Sequence, residues 1–419
     1  MAAISRSVRL WLAVALLILS ACASSAPPAE VTPTFDVTDR DQPIPQALLD
    51  TADAERDLLG AVYTRLAPSV VAVEAVLEGG IVRRGSGFIY DRNGRIVTSA
   101  QTISGAEAVR VTFDDGLTVN ATSAGFDAYS DVAVLRVDVP PARSIPVTFA
   151  DSDAVQVGER AIVLGNPYGL SSSINSGIIG GIGRRLPSAA LVDFGLPPGF
   201  QNPRILQTSV PVPQGGNGGV VLNSRGEVVG MAVEVTTAGG LYQGVGFAVP
   251  ANTVRRVVPD LIRDGEVRYA WLGINTVQSD YGLASFARAL SLATDSGVLV
   301  TAVTPQSPAD EADLRGGSRY VDAFGLPVCA GGDIITAIDG TFISHIDDLV
   351  YYLLVNHIPG DVVTLLILRD GDPQEVSVTL AERPTTTPPL PPCGDASLPE
   401  RDGTPVPPAP PTPVGVPEA

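Results

Sequence analysis

The stretch GGNGGVVLNSRGEVVGM, residues 215–231, joins a glycine-rich loop to two short apolar runs. Two glycines stand on each side of Asn217, and glycine permits the tight turns that such a loop needs. The runs Val220 to Leu222 and Val228 onward predict strands. A loop of this form is typical of one that presents a nucleophile, yet an asparagine occupies its centre.

Short strands with glycine turns extend over the sequence on both sides of this loop. More than ten of them at regular spacing predict paired β-barrels or a large sandwich. A predicted helix over 46–66, ended by Pro68, precedes this region, and another over about Ala251 to Arg263 closes it. Among the predicted strands are SVVAVEAVL, GSGFIYD, GRIVTSA, AVRVTF, LTVNAT, DVAVLRVD, RAIVLG, INSGIIGGIG, RILQTSV and GVGFAVP.

A second domain begins near Arg268, with strands predicted in YAWLGI, GVLVTAV, DIITAIDG and VVTLLILRD. A helix is predicted after Ser344, and Ser344 with Asp347 has the spacing of a capping box. From Pro384 onward, proline dominates the sequence, which predicts an extended, disordered tail.

Composition excludes some functions. The 419 residues carry a formal charge of −18, which disfavours binding to a nucleic-acid backbone. All 27 cationic side chains are arginine, because the chain has no lysine. A Ser-Lys dyad and a lysine-containing phosphate loop are therefore both excluded.

The N-terminus has the pattern of an export segment. Arg6 and Arg9 precede an apolar run from Leu10 to Leu19, which is too short to span a bilayer as a helix. The ending Leu-Ser-Ala-Cys resembles a bacterial lipobox, which predicts diacylation of Cys22. An ordinary signal cleavage nearby is the alternative. Either reading predicts a protein outside the cytoplasm, and the first predicts a membrane-anchored lipoprotein of a bacterial envelope.

Several ordered motifs resemble those of the HtrA/Deg proteases. They are GSGFIYDRNGRIVTSA, SDVAVLRVD, VLGNPYGL, GGNGGVVLNSRGEVVGM and GVGFAVP, and WLGI, SPADEADL and GGDIITAIDG resemble the PDZ module of that family. The resemblance implies a mainly β fold, a trypsin-like double β-barrel followed by a PDZ domain, itself a β-sandwich with helices. The expected segments are a lipoprotein signal peptide (1–21), a flexible spacer (22–45), the trypsin-like domain with its N-terminal helix (46–265), the PDZ domain (266–383) and the proline-rich tail (384–419).

The resemblance also places the three catalytic positions of the family. The histidine position is Gln101 in VTSAQTI, the aspartate is retained as Asp131 in YSDVAVL, and the serine position is Asn217. A carboxamide is no base near neutral pH and a poor nucleophile. The resemblance implies an oxyanion-type pocket formed by the backbone N–H groups of Gly215 and Asn217. The alternative is that the glycines serve only to hold the turn.

No other residue pattern supplies the missing chemistry. His345 and His357 lie at the two ends of the PDZ helix, where we expect solvent-exposed side chains. The remaining cysteines, Cys329 and Cys393, lie in the second domain and the tail. No histidine or cysteine cluster predicts a metal site, and no cofactor is expected.

Two features of the second half predict binding and stability. Backbone N–H groups near Trp271, Leu272, Gly273 and Ile274 are expected to hold the C-terminal carboxylate of a peptide that adds a strand. Cys329 and Cys393 are expected to form a disulfide, since they are the cysteines left after lipidation in an oxidising compartment.

The sequence therefore favours an inactive, lipid-anchored HtrA-like protein that binds peptides or partner proteins in envelope quality control. Two alternatives are open: an endopeptidase completed by residues of a partner subunit, and an ATP-independent chaperone. The expected partners are protein C-termini and the membrane, not nucleic acid. The resemblance implies a homotrimer or a hetero-oligomer with active homologues.

Overall fold

The computed structural model describes residues 46–166, 172–187, 201–234, 244–277, 282–384 and 388–394. The predicted signal peptide, Cys22 and the spacer lie outside the described residues, as does the tail beyond Gly394. Within these ranges, no helix is both long and apolar enough to cross a membrane. The first described element is helix α1, Gln46–Leu66.

Six antiparallel strands form a first closed barrel in the order β1-β2-β3-β6-β5-β4. Its core is mainly aliphatic and includes Val71, Ile96 and Leu135, all almost fully buried. A short helix, α2 (Ala100–Ile103), follows the third strand. The strands are β1 (Val70–Leu77), β2 (Val82–Ile89), β3 (Arg95–Ser99), β4 (Ala106–Thr112), β5 (Thr118–Asp127) and β6 (Val132–Val137).

Six more strands close a second barrel in the order β10-β11-β12-β9-β8-β7. The quoted glycine loop leads directly into β10, and β10 pairs with β11 and β7. Helix α3, Ala251–Asp264, follows the barrel and ends at Gly265, whose φ is 79°. The strands are β7 (Arg160–Gly165), β8 (Ser173–Pro187), β9 (Gln201–Thr208), β10 (Val220–Leu222), β11 (Val228–Val233) and β12 (Gly246–Pro250).

The remaining strands build a PDZ domain around a five-strand path, β14-β15-β18-β20-β21, with β19 paired to β18. Two small antiparallel pairs, β13 with β22 and β16 with β17, accompany it. The strands are β13 (Ala270–Trp271), β14 (Ile274–Thr276), β15 (Val298–Val303), β16 (Arg319–Ala323), β17 (Leu326–Ala330), β18 (Ile334–Ile338), β19 (Thr341–Phe342), β20 (Val362–Arg369), β21 (Asp372–Thr379) and β22 (Ala381–Glu382). The helices are α4 (Leu283–Leu290), α5 (Pro308–Glu311) and α6 (Ile346–Asn356). The expectation of a mainly β double barrel followed by a PDZ domain is confirmed.

Two local predictions at the ends of α6 were wrong. Asp348, not Asp347, accepts the backbone N–H groups of Ser344 and His345, at 3.0 and 3.1 Å. The helix starts one residue later than the capping pattern predicts, which moves the capping carboxylate one position along.

The other error concerns His357, which was expected to be solvent-exposed. Its side chain is only 14% exposed, because it lies between the carboxylates of Asp339 and Asp361. Its Nε2 is 3.1 Å from Asp339 Oδ2, and its Nδ1 is 3.3 Å from Asp361 Oδ2. His345 is exposed, as expected. Neither histidine approaches the glycine loop through a contact among the described residues.

Candidate functional site

The glycine loop holds its shape through backbone conformations that other residues resist. Gly215 and Gly218 have φ values of 86° and 87°. A Cβ added at Gly218 would lie 2.3 Å from the carbonyl oxygen of Ser86 and 2.8 Å from Thr98 Oγ1. Glycine is therefore required at this position by both conformation and space.

Gln101 and Asp131 reach the loop from the first barrel. Strand β3 ends at Ser99, and the short helix α2 then carries Gln101. Asp131 directly precedes β6 and has a φ of 59°, which is unusual for a residue other than glycine or asparagine. Its backbone carbonyl accepts the N–H of Ala100 at 3.0 Å, which fastens this turn to the start of α2.

The Asp131 carboxylate is completely buried and has only neutral partners among the described residues. Ser99 Oγ lies 2.7 and 2.8 Å from its two oxygens, and the backbone N–H of Gln101 donates to Oδ1 at 2.9 Å. Burial raises the pKa of Asp131 to about 8, although the hydrogen bonds from Gln101 and Ser99 act in the opposite direction. The proximity of Asp127 raises it further.

A hydrogen bond joins the side chains of Gln101 and Asn217 across the site. Asn217 Nδ2 donates to Gln101 Oε1 at 2.8 Å. Asn217 Oδ1 accepts the backbone N–H of Glu234 at 3.2 Å, so both polar atoms of this nearly buried side chain are used. The structure thus brings all three predicted positions together, but the Gln101 side chain bonds to Asn217 and not to Asp131.

Ser86 ties the glycine loop to the first barrel and was not singled out from the sequence. Its backbone N–H donates to the carbonyl of Asn217 at 2.8 Å, and its hydroxyl donates to the carbonyl of Gly215 at 2.8 Å. The same hydroxyl accepts the N–H of Asn166 at 2.7 Å. Ser86 stands between two glycines in GSGF, and Ser99 stands two residues before Gln101. These neighbours are the signal that the sequence offers, whereas the burial of both serines is visible only in the structure.

The backbone N–H groups of Gly215 and Asn217 differ from those of their neighbours in the loop. Neither donates a hydrogen bond to an acceptor in the described part of the chain. The neighbouring N–H groups do donate, that of Gly216 to Pro213 and that of Gly218 to Ala232. Since buried N–H groups are rarely left unpaired, these two are suited to an external acceptor.

The side chains at positions 101 and 217 are both carboxamides, which are hydrogen-bonding groups. Two carboxamides neither take a proton near pH 7 nor carry a hydroxyl or thiol that could attack a carbonyl. Ser99, whose hydroxyl contacts Asp131, is fully buried. Among the described residues, no group of three histidine, cysteine, aspartate or glutamate side chains is arranged to hold a metal ion.

The four residues predicted to bind peptide in the PDZ domain form one continuous turn between β13 and β14. The carbonyls of Leu272 and Gly273 accept the N–H groups of Ala309 and Thr304, both at 2.8 Å. In the described residues, the N–H groups of Leu272 and Gly273 have no acceptor. The Leu272 side chain belongs to the domain core, whereas Trp271 and Ile274 are partly buried.

Strand β14 lies at one edge of its sheet, because it pairs only with β15 among the described strands. The Cα positions of Ile274 and Val303 are partners in that pairing. An edge strand offers unpaired backbone groups to a further strand. Gly273 has a φ of 86°, and a Cβ there would lie 2.1 Å from Ser307 Cβ.

A disulfide joins Cys329 on β17 to Cys393, with 5.7 Å between the Cα atoms. Residues 319–330 form the β16–β17 hairpin. The bond fixes residues 388–394 against this hairpin.

The PDZ domain contacts both barrels within the compact unit that begins at Leu59. Tyr269 donates its hydroxyl to the buried carboxylate of Asp127 at the end of β5. Tyr351 on α6 donates to Asp153 Oδ1 at 2.7 Å. Arg204 on β9 lies 4.7 Å from the centre of the Tyr351 ring, a cation–π distance.

Comparisons with known proteins agree with this two-domain structure. Residues 85–231 match the family model described as a trypsin-like peptidase domain, and residues 270–380 match the PDZ domain. Protease Do-like 1, chloroplastic, of Arabidopsis thaliana is 36% identical over 300 residues, which cover 72% of this chain and 64% of that protein. The probable periplasmic serine endoprotease DegP-like of Brucella suis biovar 1 (strain 1330) is 30% identical over 303 residues, or 72% of this chain and 53% of that protein.

The chain thus spans between about half and two thirds of the length of these curated relatives. Among solved structures, an HtrA-type protease AlgW with tripeptide aligns with a TM-score of 0.61 at 25% identity. That alignment covers 78% of this chain and 97% of the other. The chain therefore combines a trypsin-like double barrel with a PDZ domain after it, and over 72% of its length it is similar to Do-like and DegP-like proteases.

Proposed function

We propose that this chain is a catalytically inactive HtrA-like protein that binds peptides or partner proteins. The observation that carries this proposal is the 2.8 Å hydrogen bond between Asn217 Nδ2 and Gln101 Oε1. In a trypsin-type mechanism these positions hold a hydroxyl nucleophile and the base that takes its proton. Here they hold two neutral amides, and Asp131 has no imidazole to orient.

The expected activity follows from the cost of losing these groups. Removal of a single triad member can lower turnover by about 10⁶, which leaves roughly 10³ to 10⁴ over water. The full-length protein should therefore neither hydrolyse casein nor react with a fluorophosphonate probe. Labelling of the native protein by the probe would reveal a nucleophilic hydroxyl and contradict the proposal.

Peptide binding is assigned to the PDZ turn and the β14 edge. The free N–H groups of Leu272 and Gly273 suit a terminal carboxylate, and the edge strand suits backbone pairing with the residues before it. A peptide acid should bind at least tenfold more tightly than its C-terminal amide, and Gly273→Ala should abolish binding by its clash with Ser307. Equal affinity for acid and amide would exclude this mode.

The proposed location is outside the cytoplasm, on an envelope membrane, where the protein would serve protein quality control. The lipobox-like Leu19-Ser20-Ala21-Cys22 supports this, together with a relative named as periplasmic. A multiply acylated cysteine anchors more stably than a single chain. Cys22→Ala should move the protein to the soluble fraction; unchanged membrane fractionation would remove the anchor from the proposal.

A further inference from the structure

A groove of about 430 Å³ lies beside strand β14 of the PDZ domain. Part of its lining comes from three consecutive β14 residues, Asn275 to Val277, and from two residues of the neighbouring β15. The rest comes from the β16–β17 hairpin and from the segment 388–394, which the disulfide joins to that hairpin. The groove therefore follows the edge strand that the PDZ proposal assigns to peptide pairing.

The segment 388–394 is seated closely on the hairpin. Cys393 is 5% exposed, and its Cα lies 5.7 Å from that of Cys329. Gly394 lies against the backbone that precedes β16, since a Cβ added there would clash with the carbonyl oxygen of Ser318. These residues follow the range 270–380 that matches the PDZ family model. This side of the groove is therefore built outside the matched domain.

The register of β14 with β15 shows which face of the sheet the groove occupies. Ile274 pairs with Val303, and both side chains pack against the main core of the domain. Asn275 pairs with Ala302, and both line the groove. Because successive side chains on a strand point to opposite faces, the groove lies on the face of β14 that is turned away from the main core.

A peptide bound as proposed would place alternate side chains on these two faces. Its terminal carboxylate meets the N–H groups of Leu272 and Gly273, just before β14, so the peptide runs antiparallel to that strand. Its last residue then lies beside Ile274 and its penultimate residue beside Asn275. Residues opposite each other in a sheet share a face, so the penultimate side chain points into the groove.

The groove suits a large uncharged side chain. Its described lining residues include no aspartate, glutamate, arginine or histidine. Leu326 on the hairpin and Leu390 on the segment are 50% and 46% exposed, and each would bury apolar surface against an occupant. An ionised occupant would lose hydration without gaining a partner of opposite charge. Aromatic and large aliphatic side chains therefore fit this groove best.

We infer that this groove binds the penultimate side chain of a C-terminal peptide and selects an aromatic or large aliphatic residue there. The inference rests on the proposed peptide binding by the PDZ turn, which it deepens by naming the class of peptide. The segment 388–394 is thus a specificity determinant, held in place by the disulfide between Cys329 and Cys393.

The test uses fluorescein-labelled heptapeptides that differ at the penultimate residue, which is tryptophan, glycine or aspartate. Each is made with alanine, valine or phenylalanine as its last residue, so that the choice of last residue does not decide the result. Fluorescence anisotropy with the full-length protein should show the tryptophan peptides binding at least about tenfold more tightly than the glycine peptides, with aspartate weakest. Equal affinities of the tryptophan and glycine peptides overturn the inference.

A charge introduced into the groove should change its preference. Leu390→Asp should weaken the tryptophan peptides at least about tenfold and strengthen peptides with a penultimate arginine. Leu366→Asp is the matched control, because Leu366 is 37% exposed on β20 and lies outside the groove lining. The control should leave both affinities unchanged. Circular dichroism verifies folding, and a folded Leu390→Asp variant with wild-type affinities contradicts the inference.

Removal of the disulfide tests the role of the segment 388–394. Cys329→Ser together with Cys393→Ser should reduce the preference for tryptophan over glycine toward equality. The acids should still bind more tightly than their C-terminal amides, since the PDZ turn is unchanged. An undiminished tryptophan preference in the folded double variant contradicts the role given to the segment.

Acid and amide forms of the peptides separate the two proposals. If the acids bind more tightly than the amides whatever the penultimate residue is, the PDZ proposal stands and the groove inference fails. If the acid and amide of a tryptophan peptide bind equally, or if no peptide binds, the PDZ proposal fails and the groove inference fails with it.

Discussion

At the scale of single residues, Asp131 is a buried carboxylic acid that has no cationic partner in the described part of the chain. In the wild-type chain its only described hydrogen-bond donors are neutral, and burial raises its pKa from 3.8 to about 8. At a pH between 3.8 and about 8, the Asp131 carboxyl is protonated in the folded state and ionised in the unfolded state. The folded state therefore binds more protons between these two pKa values.

The stability of the protein should consequently fall as pH rises from about 4 to about 8. The contribution of Asp131 to the unfolding free energy is greatest below pH ~4, and the loss of this contribution on raising the pH is on the order of a few kcal/mol. Buried Asp127 has a raised pKa and contributes in the same direction. Urea unfolding across this range should show the decline, and Asp131→Asn should flatten it; a variant with the wild-type slope would contradict the assignment.

Gly218 provides a second residue-level prediction. Gly218→Ala forces a side chain into a φ of 87° and against the Ser86 carbonyl, which should cost ~2–4 kcal/mol of unfolding free energy. Gly105→Ala is the matched control, since its φ is 70° but nothing lies within 4 Å of the added Cβ. The control should lose only ~1 kcal/mol. Equal losses would mean that conformation alone, and not the close contact, requires glycine in the loop.

The residue types at the site were predictable from sequence, but their bonding was not. The resemblance picked out Gln101, Asp131 and Asn217, which lie together in the structure. The sequence does not determine which partner the amide of Gln101 bonds to. Only the tertiary structure shows that Gln101 bonds to Asn217, while the Ser99 hydroxyl donates to the Asp131 carboxylate. Burial of Asp131, and hence its pKa, also depends on residues distant in sequence.

At the scale of elements, alternation and glycine turns predicted the strands well because these patterns are local. Helix α3 was predicted to within one residue at its end. The start of α6 was misplaced by one residue, since both Asp347 and Asp348 follow Ser344 closely and either carboxylate suits a helix N-terminus. The burial of His357 depends on Asp339, 18 residues away, which local sequence does not reveal.

The disulfide gives a prediction at this scale. Cys329 and Cys393 enclose a 64-residue separation, for which the chain-entropy model gives about 4 kcal/mol of stabilisation. Cys329→Ser paired with Cys393→Ser should lower the unfolding free energy by up to that amount, with little change in secondary structure. Thiol titration of the denatured, unreduced protein should find neither cysteine free, and two free thiols would show that the bond does not form.

At the scale of the whole molecule, the PDZ domain is fastened to each barrel by a separate tyrosine. Tyr269 bonds to Asp127 of the first barrel, and Tyr351 bonds to Asp153 beside the second. The pattern of two domains was visible in sequence, but these contacts were not, because each joins residues more than 140 positions apart. The fold therefore keeps a trypsin-like cleft and a PDZ domain together, while the cleft has amides at two of its three expected catalytic positions.

The central claim is that Gln101 and Asn217 by themselves account for the proposed inactivity of the cleft. Its most direct test is casein hydrolysis by four full-length proteins: wild type, Gln101→His, Asn217→Ser and the double variant. Because triad members act as a unit, the account predicts no hydrolysis by the first three and measurable hydrolysis by the double variant, where Asp131 regains an imidazole partner. Absence of hydrolysis by a folded double variant, or hydrolysis by the wild-type protein, would contradict the account.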